Sequence, residues 1–139
     1  MLANIEKVRE LIPQKVPFVM VDELLHFTQE NLISRFKVKS NNLFVENDLF
    51  VESGIIENMA QTVALHTGYQ FYLKNEQAPT GYLGSIKNVV INRLPVTGES
   101  IETTIEIIQE FMGVTLVDVV VYSGEEIIAK STMKTVLAA

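Results

Sequence analysis

Glu57 and Gln61 are the two side chains whose types and spacing could do chemistry together. They lie in "VESGIIENMAQTVALHTGY", residues 51–69, a stretch that is otherwise almost wholly apolar. If Ser53 caps a helix there, Glu57 falls just past the first turn, and Gln61 follows one turn on, about 40° around the axis, so the two share a face. The helix start adds unpaired N–H groups, that of Gly54 among them. Their partial positive charge would steady an anion or a carbonyl oxygen gaining negative charge. A carboxyl, a carboxamide and free backbone amides suit thioester chemistry, with the Gly54 amide as donor to the thioester carbonyl. The competing reading is a polar stripe that faces solvent or a subunit interface.

The elements that would position this pair follow from periodicity. Leu2, Ile5, Val8, Leu11 and Ile12 recur at helical spacing up to Pro13. "FVMVDELLHF" (18–27) and "NLISRFKVKS" (31–40) read as an antiparallel strand pair joined through "TQEN". Residues 41–52 show no period and read as a loop. From 53 to about 74, Ile55, Ile56, Met59, Ala60, Val63, Ala64 and Phe71 keep helical spacing, and Leu65 and Tyr69 widen the stripe, so this helix is expected to be buried on most sides. Four β-rich runs follow, "YLGSIKNVVINRL", "ESIETTIEIIQEF", "VTLVDVVVYS" and "EEIIAKSTMKTVL", with turn signals at Pro95 to Gly98, Gly113 and Gly124. The order predicts an α+β hotdog fold, an antiparallel sheet wrapped around one long central helix, in a single domain spanning residues 1–139. A ferredoxin-like sandwich fits less well, since only one long helix is visible in the body. The exposed sheet edge favours a homodimer or a higher even oligomer with a continuous sheet.

Composition narrows the classes of function. Seventeen acidic against eleven basic side chains give a net charge of -6, which disfavours a nucleic-acid partner. With no cysteine and two lone histidines, no disulfide, thiolate nucleophile or metal site is expected. Charges at Glu6, Lys7, Arg9 and Glu10 interrupt the N-terminal segment, and no apolar run approaches membrane-spanning length, so the chain is expected to be cytoplasmic and to have no membrane partner. No cofactor is implied.

Three segments carry a family resemblance. "IEKVRELIPQKVPFVMVDELLHF" resembles the opening "LLPHRYPFLLVDRV" of the 3-hydroxyacyl-acyl carrier protein dehydratases of the FabZ/FabA type. "GIIENMAQ" resembles their "LILEAMAQ", and "YLGSIKNVVINRLPVTGES" their "YFAGIDEARFKRPVVPGD", in the same order from about residue 5 to 135. The resemblance implies a hotdog fold and an acyl thioester substrate held by a carrier protein or by CoA. It places Glu57 on the catalytic acid and Gln61 on the glutamine that orients it. Phe18, Met59, Val63 and Val89 would line an acyl tunnel, although apolar residues at these spacings are more often plain core.

The resemblance breaks where the family carries its second catalytic group, a histidine in a "GHFPG" loop ahead of the helix. Here "FVENDLFVES" is shorter and has no histidine. Asn47 and Asp48 are the nearest counterparts, and Asp48, Glu46 or Glu52 could act as a carboxylate base if burial tuned it. Val51 and Glu52 replace the proline-glycine pair before the helix, and Gln14 replaces the histidine of "PHRYPF". His66 lies roughly 180° around the helix from Glu57, and His26 ends a strand, so neither is expected to be the base. The short loop is similar to a dehydratase-like subgroup of aryl-polyene and related pigment pathways. Three functions remain open: a 3-hydroxyacyl thioester dehydratase without the usual histidine, a non-catalytic acyl-binding subunit in a heterodimer with an active dehydratase, and an acyl thioesterase. Lys87 and Arg93, with Arg35, Lys37 and Lys39, would meet an acidic carrier protein, or else merely guard strand edges.

Overall fold

Two-residue turns set the C-terminal half of the chain. Met112 and Gly113 both take positive φ (52° and 79°), which matches the twist of the strands they join, and Gly124 (φ 59°) serves the next hairpin. In the computed structural model, which describes residues 1–138, the order is α1 (Ile5–Leu11), β1 (Glu23–Phe27), β2 (Asn31–Lys37), β3 (Val45–Glu46), β4 (Leu49–Phe50), α2 (Glu52–Leu73), β5 (Gly81–Ile91), β6 (Ser100–Phe111), β7 (Val114–Ser123) and β8 (Glu126–Leu137). Six strands form one antiparallel sheet in the order β1-β2-β6-β7-β8-β5, and β3 and β4 form a separate small hairpin.

The sheet lays its inner face on α2, the expected hotdog arrangement. Leu32, Phe36, Ile101, Ile105, Val117, Val119 and Met133 are buried against Ile55, Met59 and Leu65 of the helix. Each such side chain stabilises the fold by roughly 1.5–3 kcal/mol through removal of apolar surface from water. Two glycines let other segments close on α2. A Cβ at Gly68 would stand 2.0 Å from the Leu11 carbonyl oxygen, so α1 could not approach. A Cβ at Gly54 would stand 2.6 Å from the Phe50 ring, so β4 could not pass beneath the helix start.

Three sequence expectations are corrected. Ser53 does not cap α2: Val51 is the N-cap, without a side-chain bond, and the helix begins at Glu52. The first strand covers only Glu23–Phe27, because the backbone of Phe18 and Met20 hydrogen-bonds to side chains of α2 instead of to a neighbouring strand. Within the supposed loop 41–52, Val45–Glu46 pairs with Leu49–Phe50, and Asn47 (φ 52°) and Asp48 (φ 62°) make the turn. Asn and Asp tolerate positive φ better than other non-glycine residues, so their identity there suits the turn.

One ion cluster ties the loop before β6 to the turn after β7. Arg93 donates to Glu99 (2.5 Å) and to Glu126 (3.1 Å), and Glu99 also accepts from the Ser123 hydroxyl and from Val96 N–H (3.0 Å). The Arg93 guanidinium, aided by Ser123 and Val96, outweighs partial burial and holds the Glu99 carboxyl near 2 instead of its ordinary 4.5. A carboxyl depressed in the folded state gives stability that is complete above its unfolded value and is lost as pH falls through the folded value. Thermal melts should therefore show the midpoint falling from about pH 4.5 toward pH 2, with a shallower acid-side slope in Glu99→Gln.

Candidate active site

Glu57 is half-buried in the second turn of α2, and among the described residues its side-chain hydrogen bond comes from Gln61, whose Nε2 donates to Oε2 at 2.9 Å. Gln61 is fully buried, and three bonds fix its carboxamide. Its Oε1 accepts from Met20 N–H at 2.6 Å, while Nε2 donates to the Phe18 carbonyl at 2.8 Å and to Glu57. The backbone N–H of Met20 admits only an acceptor and the Phe18 carbonyl only a donor, so the amide cannot be flipped. Both Nε2 protons are thereby assigned, and the second is aimed at the carboxyl. The polar stripe is thus turned toward the chain's own 18–20 segment and not wholly to solvent.

Asn58, which sequence reasoning did not single out, completes the support. Its Nδ2 donates to the Met20 carbonyl at 2.8 Å, and its Oδ1 accepts from the Thr103 hydroxyl of β6 at 2.5 Å. Its backbone carbonyl accepts from Thr62 Oγ1 at 2.7 Å, so the contact of 2.8 Å between Ser34 Oγ and Thr62 Oγ1 must be donated by Ser34. Positions 58, 61 and 62 share one helix face by their spacing of three and four, and that regularity in buried polar residues was the available signal. Each of these groups is fully buried, and burial is affordable only because each is paired.

The other expected site residues do not converge on Glu57. Asn47 and Asp48 are exposed at the hairpin tip, where Asp48 Oδ1 accepts from Thr97 at 3.3 Å. Glu52 is exposed at the first position of α2. The Gly54 N–H, assigned to a thioester carbonyl, already donates to the Val51 carbonyl at 2.9 Å. Phe18 is exposed beside the Gln61 carboxamide, Met59 is buried in the core beneath Ser131, Val63 lines a cleft, and Val89 is exposed on β5, so the four line no common channel within one chain. His66 is buried and bonds the Thr28 carbonyl at 2.9 Å, and His26 is exposed on β1. Of the expected basic residues, Arg35 is engaged by Glu102 (3.0 Å) and Glu23 (3.4 Å) and Arg93 by Glu99, while Lys37, Lys39 and Lys87 form no salt bridge among the described residues.

An antiparallel six-stranded sheet wrapped on one long central helix, with a carboxyl and a carboxamide hydrogen-bonded to each other on that helix, defines the hotdog class of proteins. Within that class the chain belongs to the ApeP-like family of ApeP dehydratases, whose family model matches residues 6–138. It is 29% identical over 140 residues to the 3-hydroxyacyl-[acyl-carrier-protein] dehydratase FabZ of Vibrio atlanticus, covering 89% of this chain and 90% of that one. It is 26% identical over 137 residues to the FabZ of Aliivibrio fischeri, covering 94% and 91%. Its fold is similar to that of the dehydratase heterocomplex ApeI:P from Xenorhabdus doucetiae (TM-score 0.88, 14% identity, 95% of this chain and 91% of that one). It is also similar to that of zebrafish thioesterase superfamily member 2 (TM-score 0.73, 12% identity, 98% and 99%).

Asn58→Ala should lower unfolding free energy by about 2–4 kcal/mol in urea titration, because it strands Met20 and Thr103 inside the core. A loss below about 0.5 kcal/mol would mean that the network carries no stability.

Proposed function

We propose that this chain supplies the proton-donating half of a dehydratase that removes water from 3-hydroxyacyl thioesters, with the second catalytic group contributed by a partner subunit. The observation that carries this reading is the Gln61 clamp on Glu57 in a chain where neither histidine approaches that carboxyl. Dehydration needs a base to take the proton from C2 and an acid to protonate the departing C3 hydroxyl. The C–H electron pair becomes the C2=C3 double bond, and water leaves. Gln61 occupies Oε2 of Glu57 and leaves Oε1 to hold and deliver the proton.

The open edge of the sheet supports a partner. β5 is eleven residues long and among the described residues pairs with β8 alone, with Tyr82, Leu83, Val89 and Val90 exposed along it. A long unpaired edge with exposed apolar side chains is a template for pairing. An ApeI:P heterocomplex among the structural neighbours is consistent with a heteromeric assembly. Lys37, Lys39 and Lys87 remain available to an acidic carrier protein.

The second reading, a non-catalytic subunit, is favoured by the exposure of Asn47, Asp48 and Glu52, which leaves this chain without a base of its own. Mass spectrometry of a 3-hydroxyacyl-carrier protein incubated with the chain and a co-purified active dehydratase separates the two. Glu57→Gln should slow water loss by about 10²–10⁴-fold with the assembly intact. Unchanged water loss would establish the non-catalytic role, and free carrier thiol would identify a thioesterase.

A further inference from the structure

The sheet has a second face, turned away from α2, and the strand register fixes which side chains stand on it. Ile105, Val117, Val119 and Met133 are buried on the inner face, so their chain neighbours Glu106, Asp118 and Thr132 point outward. Directly opposed residues of paired strands share a face, and one outer row therefore runs Glu106 (β6), Asp118 (β7), Thr132 (β8), Lys87 (β5). Lys130 and Lys134 flank Thr132 on the same side of β8. The row is acidic on β6 and β7 and basic on β8 and β5.

Glu106, Lys87, Lys130 and Lys134 are exposed, and none forms a salt bridge among the described residues. Asp118 is exposed as well and accepts from Thr132 Oγ1 at 3.0 Å. Around these charges the face is apolar: Val114, Leu116 and Val120 stand outward on β7 and are only half-buried.

Such a face is complementary to itself in one arrangement. A two-fold axis parallel to the strands keeps each row level with its copy, and placed between β7 and β8 it lays β6 over β5 and β7 over β8. Glu106 then meets Lys87 of the second copy twice, and Asp118 stands level with the stretch between Lys130 and Lys134. An axis between β6 and β7 would instead set Glu106 over Asp118, like charge on like. The four strands span about 19 Å by 34 Å at ordinary strand spacing and rise, roughly 650 Å² on each copy, close to the ~800 Å² per partner of a standard interface.

We propose that the outer face of β6, β7, β8 and β5 is a contact surface for a second copy of this chain, with Glu106 of each copy on Lys87 of the other. The contact uses the same patch on both copies and closes as a pair. It leaves the backbone edge of β5 and the Glu57 face of α2 free, so it does not rest on the function proposed above. It takes up Lys87 and leaves Lys37 and Lys39 to a carrier protein.

Sedimentation equilibrium of the chain with exchanged charges is the test. Lys87→Glu and Glu106→Lys should each weaken self-association by about tenfold or more, because each sets like charges together twice. The double exchange, Lys87→Glu with Glu106→Lys, restores both pairs and should return the affinity to near that of the unsubstituted chain. Two strands separate β6 from the β5 edge, so pairing at that edge does not respond to Glu106→Lys. An unsubstituted chain that stays monomeric, an association indifferent to Glu106→Lys, or a double exchange as weak as the single ones would each overturn the proposal.

Discussion

An extended backbone segment pressed against a helix inside a core has nowhere to place its carbonyls and amides unless the helix offers side chains that match them. At Phe18 and Met20 that match comes from α2: the Gln61 carboxamide spans one carbonyl and one N–H, and Asn58 takes the next carbonyl. The chain enters its first strand from this anchor. The same carboxamide has one proton left over, and it goes to Glu57. Support of the 18–20 backbone and placement of the Glu57 carboxyl therefore come from one group, and the position of the carboxyl depends on how firmly residues 18–20 are held.

That dependence explains why helix, sheet and N-terminal segment act as a unit. Thr103 links Asn58 to β6, and Ser34 links Thr62 to β2, so two neighbouring strands brace the face of α2 that carries the carboxyl. Gly68 and Gly54 permit α1 and β4 to close on the helix at its two ends. A well-determined site on a rigid element places a reactive group more reliably than one on a loop. Here the group expected on a loop is missing, and the residues in its place shape a hairpin.

Much of the architecture was legible in the sequence because its signals are local. Glycines and short turns separate the C-terminal strands, and the apolar residues from Ile55 onward keep helical spacing with no proline among them, the signature of a buried helix. The alternation of Leu32, Ser34 and Phe36 marks the inner face of β2, including the polar Ser34 that finds Thr62, and buried Val38 follows it just past the strand end. What was not legible is tertiary. "FVMVD" has the composition of a strand, and only the carboxamides of α2 divert its backbone from a ladder. Ser53 is a good capping type, but the helix starts one residue before it. Asn58 is an indifferent helix residue by propensity, and its importance emerges only from the partners that converge on it. Glu57 and Gln61 were legible as neighbours because residues one turn apart share a helix face, while the sequence left open whether that face met solvent or, as found, the 18–20 backbone.

The central claim is that Gln61 is locked by the 18–20 backbone and holds Glu57 with its remaining proton. NMR of the Gln61 side-chain amide tests it most directly. Both Nε2 protons should exchange slowly with water and resonate apart from those of a free carboxamide, and one should move as Glu57 is titrated, a response that Glu57→Gln removes. Rapid exchange, free-amide shifts and indifference to Glu57 would contradict the clamp and the assignment of Glu57 that rests on it.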